Sequence, residues 1–260
     1  MISLQVSYPQ VQLFLLVFLR VTVIMMSLPI FSGNNVPNMF KAGLSLAVAL
    51  TLFPVIDLTV LPAMTGWVFM SMGVISEVLL GLGIGLAIRL IMAGIQMAGQ
   101  VSGFQMGLAI ANIMDPATSM QTPILAQAFN LMAMLIFLAI DAHHWFFRAM
   151  VDSFAIIPPF QFVLSASFVG YLMHTAGTMF VIALKIGAPV IVVLILTSVS
   201  FGLMARTVPQ MNIFIVAMPL KIIVGLLFVV FSLPYLQPYL RELFDGFGVG
   251  LVPLLRLMGS

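Results

Sequence analysis

The sequence has no cysteine. That excludes a disulfide framework and a thiolate-held metal, and it leaves no redox compartment to read. Charge is scarce: seven acidic and nine basic side chains make up 6% of the 260 residues, against roughly a quarter in soluble domains. The resulting net charge of +2 marks no basic face suited to nucleic acid. The opening MISLQVSYPQ lacks a basic n-region, and no small-x-small cleavage site follows its apolar run, so the first segment is expected to be retained. There is no G-x-S-x-G on which nucleophilic catalysis could rest, and no HExxH. Apolar side chains fill the space: 63% of the residues are hydrophobic and the mean hydropathy is +1.25. The chain belongs in a membrane.

Six apolar segments reach the length of about 20 residues that a bilayer span needs. They are Val11–Phe31, Ala42–Leu61, Trp67–Met92, Ile124–Phe147, Phe168–Ser200 and Ile213–Leu233. Pro29, Pro54, Pro189 and Pro219 lie within them. Proline removes a helical hydrogen bond, so an all-α membrane protein of kinked and broken helices is expected, with the fifth segment bent or divided at Pro189. Short connectors and the absence of a repeat or low-complexity tract favour a single membrane-embedded domain over 1–260, with a short C-terminal tail from about 235. Loop cations give no orientation. Arg148, Arg241 and Arg256 stand against Lys41, Arg89, Arg206 and Lys221, a balance the positive-inside rule cannot use.

The stretch from Gly99 to Pro123 does not fit this pattern. It starts like a helix, with Gly99, Gly103 and Gly107 on one face, and is expected to break at Asn112 and at Asp115-Pro116. Such a segment must be buried in protein or line a cavity, because lipid cannot satisfy its free backbone groups. One reading is a re-entrant connector that only packs. The other is a pore plug over Gly103–Ser119, lined by Gly103, Phe104, Gln105, Met106, Gly107, Ile110, Ile113, Met114, Asp115 and Pro116.

Arg20, Glu77 and Lys185 are charges inside apolar runs, each costing a few kcal/mol at mid-bilayer. Buried pairing, such as Arg20 with Glu77, is favoured over an ion path, because Glu77 is the carboxylate that stands well inside a span. Gly81 and Gly85 are one turn apart and suit close helix packing. GLGIGL is not a nucleotide fingerprint. Asp141 and His144 share a helix face, but His143 and His144 point about 100° apart on an ideal helix, so a metal site is not expected there. Arg206, Pro209, Gln210, Asn212 and Lys221 are polar residues crowded between two apolar runs, with Pro209 and Pro219 expected to break the helix around them. They read as an assembly surface.

The block Gly202-Leu203-Met204-Ala205-Arg206-Thr207-Val208-Pro209-Gln210-Met211-Asn212-Ile213-Phe214, followed by Pro219-Leu220-Lys221-Ile222 and Gly225, resembles the signature of the FliR family. This is the flagellar branch of the type III secretion export-gate membrane proteins, with the SctT proteins as injectisome relatives. Arg20 with Pro29 and Phe31, Lys41, Glu77 with its glycines, Gln96, Gly99, Gln105-Met106-Gly107, Asp115-Pro116, His143-His144 and Ser153-Phe154 also fit. Ala142 departs, standing where the family pattern usually has glycine.

The resemblance implies a non-catalytic subunit without cofactor. It would join FliP and FliQ homologues in one hetero-oligomeric helical gate at the flagellar basal body, in the inner membrane, with flagellar export substrates passing through. FlhB and FlhA homologues would adjoin it. It also implies helices packed as hairpins in a tilted assembly raised toward the periplasm. The alternative is a small-solute or ion transporter with broken transmembrane helices. Such transporters typically show related halves, and residues 1–123 show no similarity to 124–260.

Overall fold

Along the first apolar run the buried positions are Leu13, Leu16, Val17, Arg20, Val21 and Ile24, the three-and-four spacing of one helix face. The helix they define, α1 (Tyr8–Ser27), gives way at Leu28 to the short α2 (Pro29–Ser32). A residue before proline is pushed out of the helical region, and proline itself suits a first helical position. Six further helices follow: α3 (Asn38–Leu52), α4 (Trp67–Met106), α5 (Ile124–Ala139), α6 (Ala142–Ile156), α7 (Ala166–Thr207) and α8 (Ile213–Met258). The computed structural model describes residues 8–32, 36–56, 67–108, 123–208, 210 and 212–259, and there is no strand among them. The chain is an all-α integral membrane protein.

Among the described residues four helices are long and apolar enough to cross a membrane: α1, α4, α7 and α8. The number rises to five if the broken pair α5–α6 counts as one span. This revises the six-span expectation. At 15 residues α3 is too short for a span of its own. By contrast α4, α7 and α8 have 40, 42 and 46 residues. At 1.5 Å per residue they reach about 60–70 Å, twice the roughly 30 Å of a hydrocarbon core.

Three other expectations also give way to these long helices. Pro189 lies inside an undivided α7. Pro219 lies inside α8 and does not break it, and the residues from 235 on are not a tail but the second half of α8. In that half Leu236, Leu240, Phe244, Phe247, Leu251 and Leu255 are buried along one face. A proline costs a helix one donor, yet where protein groups meet the freed carbonyl the helix can continue.

The chain divides by its contacts into two units. The first is Met1–Arg89, Ile140–Thr175 and Phe244–Ser260, and the second is Leu90–Ala139 and Ala176–Leu243. In the first unit α4 carries a buried stripe of Gly73, Glu77, Leu80, Gly81, Ile84 and Ile88. Gly81 and Gly85 bring α4 against α1: a Cβ on Gly81 would stand 2.7 Å from the Val23 side chain, and one on Gly85 would stand 2.1 Å from the Ser27 hydroxyl. Phe14 and Phe53 meet edge to face at 5.5 Å. The loop after α6 is fixed to the end of α8, where the Val163 amide donates to the Met258 carbonyl at 3.0 Å and the Ser165 hydroxyl donates to the Leu257 carbonyl at 2.6 Å.

In the second unit α4 continues as Ile91, Ile95, Ala98 and Ser102 on its buried face. Gln96 donates to the Asn130 side-chain oxygen at 2.8 Å. Gly99 is the tightest point between α4 and α5. A Cβ there would lie 2.6 Å from the Ala126 Cα and 2.7 Å from the Leu125 carbonyl oxygen, whereas one on Gly103 would meet nothing nearer than the Leu125 Cβ at 3.8 Å. Backbone atoms cannot rotate away as a side-chain tip can. We therefore expect Gly99→Ala to cost about 1–3 kcal/mol through overpacking and Gly103→Ala to be tolerated. Thermal unfolding of the purified chain in mild detergent separates the two. Equal midpoints would contradict the packing described here.

Candidate functional site

Arg20 sits on the buried stripe of α1 because it falls in phase with Leu13, Leu16, Val17 and Ile24, and Glu77 does the same on α4. Both are essentially inaccessible, at 1% and 0% exposure. They form a bidentate pair. The Arg20 Nε donates to one Glu77 oxygen, and Nη2 donates to the other at 3.0 Å. Planar guanidinium and carboxylate match in this geometry.

The remaining donors of Arg20 point at the end of α6. Its Nη1 donates to the Ser153 carbonyl at 3.0 Å, the Ser153 hydroxyl oxygen at 3.2 Å and the Ile157 carbonyl at 3.0 Å. Ser153 in turn donates its hydroxyl proton to the Met150 carbonyl at 2.7 Å. The guanidinium carbon lies 4.2 Å from the centre of the Phe154 ring. The last carbonyls of a helix have no partner within it and carry partial negative charge. Arg20 thus neutralises Glu77, caps α6 and ties three helices at one buried point.

Lys185, expected to be buried like these two, is exposed instead, with its ammonium 5.7 Å from the Tyr239 ring centre. It falls on the face of α7 shared by Val181, Leu184 and Ala188, whereas Ile182, Ala183, Ile186 and Gly187 face inward.

The glycine-rich stretch begins as the end of α4, and the helix stops earlier than expected. Gly107 has φ +85°. Its amide donates to the Phe104 carbonyl at 3.0 Å, and the Leu108 amide donates to the Gly103 carbonyl at 3.1 Å. This double closure with a left-handed glycine is a Schellman stop. Before it, Phe104 is 62% exposed and Met106 is 0% exposed. Gln105 and Gly107 are half-buried and Gly103 is buried. Met106 packs on Gly225, where a Cβ would come within 2.6–2.9 Å of its side chain. Ile110, Ile113, Met114, Asp115 and Pro116 lie outside the described residues, as does Pro209 of the expected assembly surface. Of the rest of that surface, Arg206, Gln210 and Asn212 are exposed and Lys221 is half-buried.

The histidine pair differs from its helical-wheel expectation. Asp141 is left-handed, with φ 55°, so α6 starts immediately after it. The His143 and His144 rings then come to 4.2 Å between centres, tilted by 35°. One ligand atom from each of Asp141, His143 and His144 lies within 4.8 Å of the others, and the His143 Nδ1 is buried without a partner among the described residues. These are the side chains here that could hold a divalent cation.

The profile of the family described as bacterial export proteins, family 1, matches residues 11–247. That span is most of the chain and includes every element of the Arg20 site. The chain belongs to the bacterial export proteins, family 1. Curated relatives agree. The chain is 33% identical to the flagellar biosynthetic protein FliR of Bacillus subtilis (strain 168) over 235 residues, 89% of this chain and 90% of that one. It is 31% identical to that of Pectobacterium carotovorum subsp. carotovorum, covering 88% and 87%. It is 28% identical to that of Escherichia coli (strain K12), covering 87% and 86%.

Within this export protein, sequence reasoning missed the roles of Ser153, Phe154 and Ile157 in holding Arg20. A signal was present: Pro158-Pro159 ends a helix, and the carbonyls orphaned there require donors that the short polar inventory can supply only from a few positions. The family resemblance had singled out Ala142 as a departure. In this export protein Ala142 is fully buried inside the first turn of α6, and the left-handed backbone falls on Asp141, so the methyl group is accommodated.

Proposed function

We propose that this chain is a non-catalytic subunit of the flagellar type III protein export gate in the bacterial inner membrane, at the flagellar basal body. It assembles with FliP and FliQ homologues into one complex, adjoins FlhB and FlhA homologues, and helps form and close the path for flagellar export substrates. The observation that carries this reading is the match to bacterial export proteins over residues 11–247, together with a FliR relative at 33% identity over nearly the whole chain.

The physics of the long helices supports it. Only 33% of the apolar window in α7 and 17% of that in α8 is buried within the chain, against 61% in α4. Leu184, Leu196, Leu203, Ile215, Ile223 and Phe231 are all exposed. Helices longer than the bilayer is thick, with apolar faces along their length, need protein partners where lipid cannot reach. The two units act together as one gate subunit in this reading, and the turn between α7 and α8 serves as an assembly surface.

The test is purification of a tagged chain from cells that also express FliP and FliQ homologues. A defined complex is expected, and a monodisperse, protease-resistant monomer would count against the reading. Arg206→Ala, Gln210→Ala and Asn212→Ala remove exposed side chains, so the chain itself should accumulate normally while the recovered partner subunits fall several-fold. Donors at such a site can meet orphan carbonyls at a partner's helix end. Undiminished recovery from all three variants would remove the assembly surface from the proposal.

A further inference from the structure

Within the first unit, α4 presents a row of exposed leucines, Leu79, Leu82 and Leu86, and the row ends at exposed Arg89. The steps of three and four residues put all four on one helix face. Beside this row lies a cleft of about 320 Å³, with Gly83 and Gly85 on α4 and with Phe162, Leu164, Phe168 and Leu172 also lining it. The lining is hydrocarbon apart from Ser27 and Arg89, and the Ser27 hydroxyl already donates to the Val23 carbonyl at 2.8 Å.

Arg89 is the element that needs explaining. It stands in the middle of an apolar helix. Its one hydrogen bond among the described residues is a long one, 3.4 Å to the Met26 carbonyl. No carboxylate lines the cleft, and none of the ion pairs among the described residues includes Arg89. Arg20, the buried arginine of α1, has Glu77. A cation in an apolar run calls for an anion, and no carboxylate among the described residues provides it.

We propose that this cleft binds an anionic phospholipid, with the phosphate on Arg89 and an acyl chain lying along Leu82, Leu86, Phe162 and Leu164. At about 320 Å³ the cleft takes part of one acyl chain, and the Arg89 charge, which no carboxylate among the described residues meets, calls for an anionic headgroup beside it. Guanidinium matches a phosphate in bidentate fashion, and the long arginine stem lets the charge reach toward headgroups while its methylenes stay on the leucines. The site is distinct from the Arg20 pair.

The experiment uses the full-length chain, purified in mild detergent with whatever subunits accompany it. Phosphatidylglycerol or phosphatidylcholine is added, and bound lipid is counted by native mass spectrometry. Wild type should retain phosphatidylglycerol in preference to phosphatidylcholine, and inorganic phosphate at the same concentration should not displace it. Arg89→Gln should lower phosphatidylglycerol retention about fivefold, the contribution of one basic residue at an anionic lipid surface. Arg89→Lys should keep most of it. Leu86→Trp, which fills the cleft and leaves the charge, should lower retention of both lipids. Arg148→Gln, an exposed arginine in a loose pair with Asp152 at 3.9 Å, should change nothing. If Arg89→Gln does not accumulate, Arg89→Lys and Leu86→Trp decide the matter alone. Equal phosphatidylglycerol retention in wild type and Leu86→Trp would overturn the proposal. So would a photo-crosslinker at Leu82 that captures a polypeptide instead of lipid in the assembled particle.

Discussion

Arg20→Ala is expected to cut the amount of folded chain in the membrane by more than an order of magnitude. The substitution leaves the Glu77 carboxylate buried and unpaired, and breaking a buried pair from one side costs about 3–5 kcal/mol. It also strips the donor from the Ile157 carbonyl, and an unsatisfied buried acceptor adds roughly 1–3 kcal/mol, whereas the Ser153 carbonyl keeps the Ile157 amide at 2.9 Å. Against a total stability of about 5–15 kcal/mol, that is most of what holds the chain folded. Glu77→Gln should be milder, because the amide still accepts from Arg20 while the guanidinium charge loses its partner. The informative variant is Arg20→Met with Glu77→Leu. Removing both charges together restores an apolar contact but does nothing for the α6 carbonyls. The double variant should recover only part of the loss, and the part not recovered measures the capping role. The readouts are membrane abundance and protease resistance of the full-length chain, with flagellar export scored beside them. If Arg20→Ala accumulates normally and export alone fails, the pair works in the export path and its structural assignment is wrong.

What was legible in the sequence follows from what periodicity can carry. The buried face of α1 can be read from the spacing of Leu13, Leu16, Val17 and Ile24, and Arg20 falls in phase with it. Once both Arg20 and Glu77 are turned inward, each is the partner the other requires. Hydropathy is silent on which face of a uniformly apolar helix looks outward. That is why Lys185, set among Leu184, Ile186 and Ala188, read as buried although α7 turns it out.

Hydropathy also counts apolar length and not breaks. It gives six spans where α4, α7 and α8 run far past a bilayer's thickness. A chain that packs much of its apolar surface against protein escapes the length rule that lipid imposes. The glycines teach a similar lesson. Gly99, Gly103 and Gly107 look equivalent at four-residue spacing, yet one is a backbone contact, one is nearly open and one is a left-handed helix stop. Spacing identifies the face, and only the neighbouring backbone decides the role.

That helix stop bears on the largest functional effect we expect, in the stretch proposed as a plug over Gly103–Ser119. A gate for unfolded polypeptide must pass many sequences and still hold back ions when idle. A charged lining would grip some substrates and conduct ions, whereas an apolar constriction dewets and blocks ions without binding any one sequence. Ending α4 at Gly107 with both closing hydrogen bonds made completes the helix without any contribution from residues beyond Leu108. Phe104, 62% exposed on the last turn, is the described side chain best placed to join such a constriction. Met106, packed on Gly225, anchors the turn from below.

The two therefore should fail differently. Phe104→Ser combined with Ile110→Ser, or deletion of Ala109 to Ile113, should raise the small-solute permeability of cells several-fold while the complex still assembles. Met106→Ser should instead destabilise the chain by about 2–4 kcal/mol, the usual cost of emptying a buried large apolar position, and lower its abundance. A static connector would give the opposite pattern: intact assembly and unchanged permeability after the deletion, with any loss confined to stability. Measuring dye or ion leak beside complex recovery in the same cells decides between plug and connector.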